Sequence, residues 1–320
     1  MSRIGRRINL LAIITSLFAV SCTTESDGPK GDSRAICFTP NSGTRAVVNT
    51  DDDMTAGFCV WGWFGSDQIS NNVFDGVIVS KSSNVWTYTG GTQYWLPGNT
   101  YNFYSVYPAS VENVNITSNG TISINNFDCS ATGNDAVDLM TASKTGMSGD
   151  AAEIVAFTFS HELAKIDVII QAMLSVKVRI IDMKIYGIST SGNFTLNTTN
   201  KTRIWNELQT AVSSSNTPYS NTTEAELDGD GTTNQIAAFS ELLLIPQSIR
   251  TAMLSITYQR DGETTPTTKE IALNRQTSAW NAGNTYRYTL LIEADNITFS
   301  GFSVEQWDIR YSGGDINIGA

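Results

Sequence analysis

The chain has 320 residues, enough at roughly 100–200 residues per domain for two domains with a core each. Hydrophobic residues make up 41% and charged residues 16%, which excludes a chain disordered by composition and a coiled coil. Acidic residues outnumber Lys and Arg by 31 to 20, a net −11 that argues against a nucleic-acid surface, and the single histidine excludes sites built on several imidazoles.

The N-terminus carries Arg3, Arg6 and Arg7, then an apolar run from Leu10 to Val20, then Ser21 and Cys22. These three regions in order make residues 1–21 a secretory signal, too short for a membrane span. A cysteine directly after the apolar run is similar to a bacterial lipobox, with cleavage between Ser21 and Cys22, although Ala19 stands where a larger aliphatic residue is usual. Acylated Cys22 would anchor the chain in outer-membrane lipid, and several acyl chains hold firmly at about 0.8 kcal/mol per buried CH₂. Removing the signal takes away three arginines and no acids, so −11 becomes −14. Residues 22–35 are polar with Gly and Pro, the composition of a flexible tether.

Beyond the tether, short runs rich in Val, Ile, Thr, Tyr and Phe recur, separated by Gly, Asn, Ser and Asp. Residues 36–38, 58–64, 77–80, 101–107, 121–124, 155–159, 165–170, 176–181, 242–245, 254–258, 286–292 and 297–307 read as strands. In the run from Tyr286, alternation places Tyr286, Tyr288, Leu290 and Ile292 on one face. Only residues 203–212 suit a short helix. The pattern predicts an all-β chain of two β-sandwich domains.

Two segments echo each other. Trp95, Gly98, Asn99, Thr100, Tyr101 and Phe103 match Trp280, Gly283, Asn284, Thr285, Tyr286 and Tyr288 at the same spacing. Gly and Asn suit a tight turn, and Tyr then opens an inward row. Two copies imply two related domains. The aperiodic stretch Ser143–Ala152 suggests a boundary between residues 36–148 and 149–320.

Candidate reactive groups have plain structural readings. Cys37, Cys59 and Cys129 remain after Cys22, an odd number, so one bridge at most can form among them, and buried thiols in strands are an equal reading. His161 lies among residues that share a strand face, with no nucleophile–base arrangement around it. Glu226, Asp228, Asp230 and Gly231 fit the first positions of a calcium loop, but Ala237 falls where a bidentate Glu is required, so a solvated acidic turn is the better reading. Asp51, Asp52 and Asp53 read as a solvated loop. Trp61 and Trp63 share a face and read as core, or, if exposed, as a platform for sugar rings. No cofactor or metal is expected.

Several segments together resemble the fimbrillin family of Bacteroides-type pilin lipoproteins. They are the lipobox, the strand with Ile36 and Phe38, residues 94–108, 138–143, 157–168, 242–247, 280–292 and 297–307. The resemblance implies two tandem transthyretin-like β-sandwiches, no catalysis, and a structural or adhesive role in surface fimbriae at the outer membrane. It also implies assembly with other fimbrial subunits by β-strand addition after a protease cuts behind an arginine. The matching bond lies between Arg45 and Ala46, with Arg34 as runner-up. The tail after Trp307 holds no clear donor strand, which leaves stalk, tip and anchor roles open. The alternative is a glycan-binding surface lipoprotein using exposed Trp61, Trp63 and Trp86. A host protein or glycan receptor is a further expected partner.

Overall fold

The computed structural model describes residues 34–40, 54–82, 85–173, 176–209, 211–228 and 235–307. Ten strands come first: β1 (Phe38–Pro40), β2 (Phe58–Gly65), β3 (Asn71–Ser82), β4 (Val85–Tyr88), β5 (Thr100–Tyr107), β6 (Val114–Ile116), β7 (Thr121–Asp128), β8 (Met140–Ser148), β9 (Val155–Phe157) and β10 (Ser160–His161). Thirteen follow: β11 (Ala164–Ala172), β12 (Val178–Tyr186), β13 (Ser191–Asn197), β14 (Thr202–Asn206), β15 (Ser220–Asn221), β16 (Ala225–Leu227), β17 (Gln235–Leu244), β18 (Gln247–Ser248), β19 (Met253–Arg260), β20 (Thr267–Ala272), β21 (Ala279–Trp280), β22 (Asn284–Ile292) and β23 (Ile297–Gln306). Two short 3₁₀ turns are the only helical elements among the described residues. The all-β expectation holds. Residues 203–212 are a correction: β14 occupies their start, because Phe194 and Trp205 pair across the β13–β14 ladder and override a weak helical propensity.

The first large sheet has the order β10-β8-β5-β2-β3-β4. Its central strands are apolar on both faces. Phe58, Val60, Tyr101 and Phe103 point into one core, while Trp61, Tyr104 and Val106 point into another. That second core continues through the C-terminal sandwich, where β17-β11-β22-β23 faces β15-β12-β19-β20. The predicted row of Tyr286, Tyr288, Leu290 and Ile292 lies fully inside it.

The two echoed segments share the bonds that shape their turns. The N–H of Leu96 donates to the Tyr101 hydroxyl at 2.9 Å, and the N–H of Asn281 donates to the Tyr286 hydroxyl at 2.8 Å. Gly98 and Gly283 have φ of 70° and 68°, a region open to glycine without strain. The Asn99 and Asn284 amides each donate to the carbonyl two residues back. Trp95 and Trp280 are both buried beside these turns.

The expected boundary at 148–149 falls at the end of β8. Through Ser143–Ala152 the strand β8 continues to Ser148, and β9 and β10 still pair with β1 and β8. The units also share a sheet of order β14-β13-β7-β6, with β7 antiparallel to β13. Glu162 sits at the crossing, wholly buried. Thr141 Oγ1 donates to its Oε1 at 2.6 Å, Arg203 Nε to its Oε2 at 2.7 Å, and Trp205 Nε1 to its backbone carbonyl at 3.2 Å. Burial pushes the Glu162 carboxyl above the usual range, partly offset by the Arg203 guanidinium.

Replacing Arg203 with Ala leaves this carboxylate buried without its cation. The expected cost at pH 7 is about 2–3 kcal/mol, below the range for fully buried pairs because Arg203 is 34% exposed. A carboxyl whose folded pKa is raised destabilises the fold only as pH rises past its unfolded value. Urea unfolding of Arg203→Ala should therefore show a smaller deficit near pH 4 than at pH 7, and Glu162→Gln should restore stability at pH 7 in that background.

Candidate functional site: the slot of the first strand

Segment 34–40 lies between two parts of the N-terminal unit. On one side Ile36 N–H donates to the Gln93 carbonyl at 2.8 Å and Trp95 N–H to the Arg34 carbonyl at 2.9 Å. On the other, β1 runs parallel to β9, and Val155 N–H donates to the Cys37 carbonyl at 2.9 Å. The Tyr88 hydroxyl donates to the Ile36 carbonyl at 3.0 Å. The paired length is short, so the side chains supply most of the hold.

Ile36 and Phe38 are 0% and 2% exposed. The Phe38 ring meets Phe74 at 5.0 Å, Phe103 at 5.6 Å and Tyr88 at 5.7 Å edge-on, and stacks on Phe157 at 5.9 Å. Burying each of these two side chains contributes about 1.5–3 kcal/mol, with edge-to-face aromatic pairs adding to the Phe38 share. Without this strand, the slot would present its aromatic walls to water, a patch of the kind that marks an interaction site.

Arg34, read as the runner-up cleavage residue, closes the base of the slot. Its guanidinium donates to the Trp95 carbonyl through Nε and Nη2 at 3.1 and 2.9 Å, and to the Gly149 carbonyl through Nη2 at 2.6 Å. One side chain thus ties the first strand to both flanking segments. Ser21, Cys22, Arg45, Ala46 and Asp51 to Asp53 lie outside the described residues, as do Asp230 and Gly231 of the acidic turn. Among the described residues no cluster of His, Cys, Asp and Glu could hold a metal ion, and no helix is long and apolar enough to cross a membrane.

The remaining singled-out residues are built into the cores. His161 is 4% exposed, stacked on Trp307 at 3.6 Å, with Nδ1 3.0 Å from Asp138 Oδ1. Lys165 covers the same Trp307 ring at 4.7 Å. These contacts make the motif around His161 an inter-unit joint. Trp61 and Trp86 are buried and Trp63 is half-buried against Tyr104, which removes the exposed platform that glycan binding through them requires. Cys59 and Cys129 are free thiols, and burial pushes Cys129 up to about 11, leaving it inert at neutral pH. Sequence reasoning missed the joint of Glu162, Arg203 and Asp138, whose members are distant in the chain. The only local signal was a Glu between His161 and Leu163, just after β10.

The Phe38 contacts imply a large truncation penalty. Phe38→Ala should lower stability by about 3–5 kcal/mol in chemical denaturation, whereas Thr39→Ala, on the half-exposed neighbour, should stay within about 0.5 kcal/mol.

Residues 44–307 match the family described as fimbrillin-like. A fimbrial protein from Bacteroides vulgatus aligns with a TM-score of 0.58 at 18% identity, covering 86% of this chain and 100% of that one. A candidate cell adhesion protein from Bacteroides ovatus aligns with a TM-score of 0.50 at 15% identity, covering 86% and 98%. The tip fimbrial protein of Porphyromonas gingivalis is similar at a looser TM-score of 0.43 and 12% identity, covering 83% and 97%. No curated protein matches. The structural likenesses show the fold, and the family match spans well over half of the chain: this protein belongs to the fimbrillin-like family and is structural, not an enzyme.

Proposed function

We propose that this chain is a fimbrial subunit that reaches the surface as a lipoprotein and joins its neighbours by exchanging its first strand. Signal cleavage between Ser21 and Cys22 and acylation of Cys22 would hold the precursor in the outer membrane. A cut between Arg45 and Ala46 would then sever β1 from the body, and a strand from another subunit would fill the vacated slot. The observation that carries this reading is the burial of Ile36 and Phe38 in an aromatic slot by a strand with few backbone bonds. Such a strand is replaceable by any extended segment with two correctly spaced apolar side chains.

The two candidate arginines have different consequences. Arg34 precedes Ile36 and Phe38, so a cut there leaves the slot filled. Arg45 follows β1, so a cut there is the one that opens it. The anchored precursor is expected to carry a lipid-modified Cys22, and the form sheared from the cell surface is expected to begin at Ala46, both read by mass spectrometry of protein isolated from cells. A surface form beginning at Ala35 would contradict strand exchange at this slot.

A further inference from the structure

A second cleft lies at the junction of the two units, between β8 and β10 on one side and the β13–β14 hairpin on the other. It encloses about 220 Å³ and is lined by Ser143, Thr158, Ser160, Thr198, Lys201 and Arg203. That volume is below the roughly 300–1,000 Å³ of sites for drug-sized ligands and is suited to a single sugar ring. Hydroxyls and cations predominate in its lining, with Ala142 and Leu196 beside them, unlike the aromatic slot of β1.

Arg203 is held in place from behind. Its Nε donates at 2.7 Å to Glu162, whose side chain is 0% exposed and whose other oxygen is held by Thr141. That bond uses one donor, and the two Nη groups have no hydrogen-bond partner among the described residues. A guanidinium fixed through Nε with its Nη groups open is arranged for a planar anion. A buried Glu–Arg pair adds little net stability over apolar packing, which leaves positioning of the guanidinium as its use. Lys201 is exposed, forms no ion pair among the described residues, and has a φ of 61°, a strained region for a side chain other than glycine. The Glu162 charge is turned inward and matched by Arg203, so Lys201 leaves the mouth with a net positive charge. Ser143, Thr158 and Ser160 offer hydroxyls without partners among the described residues, each able to donate and accept as sugar hydroxyls require.

We propose that this cleft binds a sugar unit bearing a carboxylate, with Arg203 and Lys201 holding the carboxylate and Ser143, Thr158 and Ser160 meeting the ring hydroxyls. The site is independent of strand exchange, since none of its residues lines the β1 slot.

The test is titration of the purified chain with glucuronic acid, N-acetylneuraminic acid, glucose and inorganic phosphate, followed by NMR chemical shifts. At least one of the two acidic sugars should bind with a dissociation constant on the order of 1 mM, shifting amides of residues 141–143, 158–160 and 198–203. Lys201→Glu, an exposed change that should leave the melting temperature unmoved, is expected to weaken binding about tenfold or more. Ser160→Leu, which fills the cleft from an exposed position, should abolish it. Failure of both acidic sugars to shift these amides would overturn the proposal. So would equal binding of glucose or phosphate, or unchanged affinity in Lys201→Glu.

Discussion

The N-terminal core is one strand short without residues 36–38. Phe74, Tyr88, Phe103 and Phe157 converge on a line that only an extended segment can fill, and Phe38 fills it with ring contacts on four sides. The hydrophobic effect is non-directional, so the slot demands apolar side chains at alternate positions and does not demand that they belong to the same chain. Residues 36–38 satisfy it from within, held at the base by the Arg34 clasp. Under the proposed strand exchange, what completes one core would be moved to another.

The second unit is held to the first by a different kind of contact. The crossing is built from the shared sheet through β7 and β13, the core that runs from Trp61 and Tyr104 into the C-terminal sandwich, and the polar joint at His161, Glu162 and Lys165. The same joint also shapes the junction cleft, whose lining includes Arg203, held from behind by Glu162.

Much of this was legible in the sequence. Period-two alternation located most strands, since each buries one face or, like β2, two different faces in two cores. The Trp-Gly-Asn-Thr-Tyr echo was legible because its turn is local: the glycine conformation, the Asn bond to the carbonyl two residues back and the Tyr hydroxyl bond all lie within six residues. The plug was legible as Ile36 and Phe38 in alternation. Long-range pairing was not. Nothing near Thr121–Asp128 says that its partner is Ser191–Asn197, and nothing in residues 203–212 says that their start pairs with the same strand, so that stretch looked helical. The roles of Arg34 and Arg203 were hidden for the same reason, because their partners, Gly149 and Glu162, lie 115 and 41 residues away.

The central claim is that the slot accepts a strand in trans. The direct measurement uses the chain beginning at Ala46 and a synthetic peptide spanning residues 34–42, with binding and thermal unfolding followed together. The account predicts saturable binding with a rise in melting temperature, and loss of both effects when Phe38 of the peptide is replaced by Ala. A truncated chain that is as stable as the full one and indifferent to the peptide would contradict it.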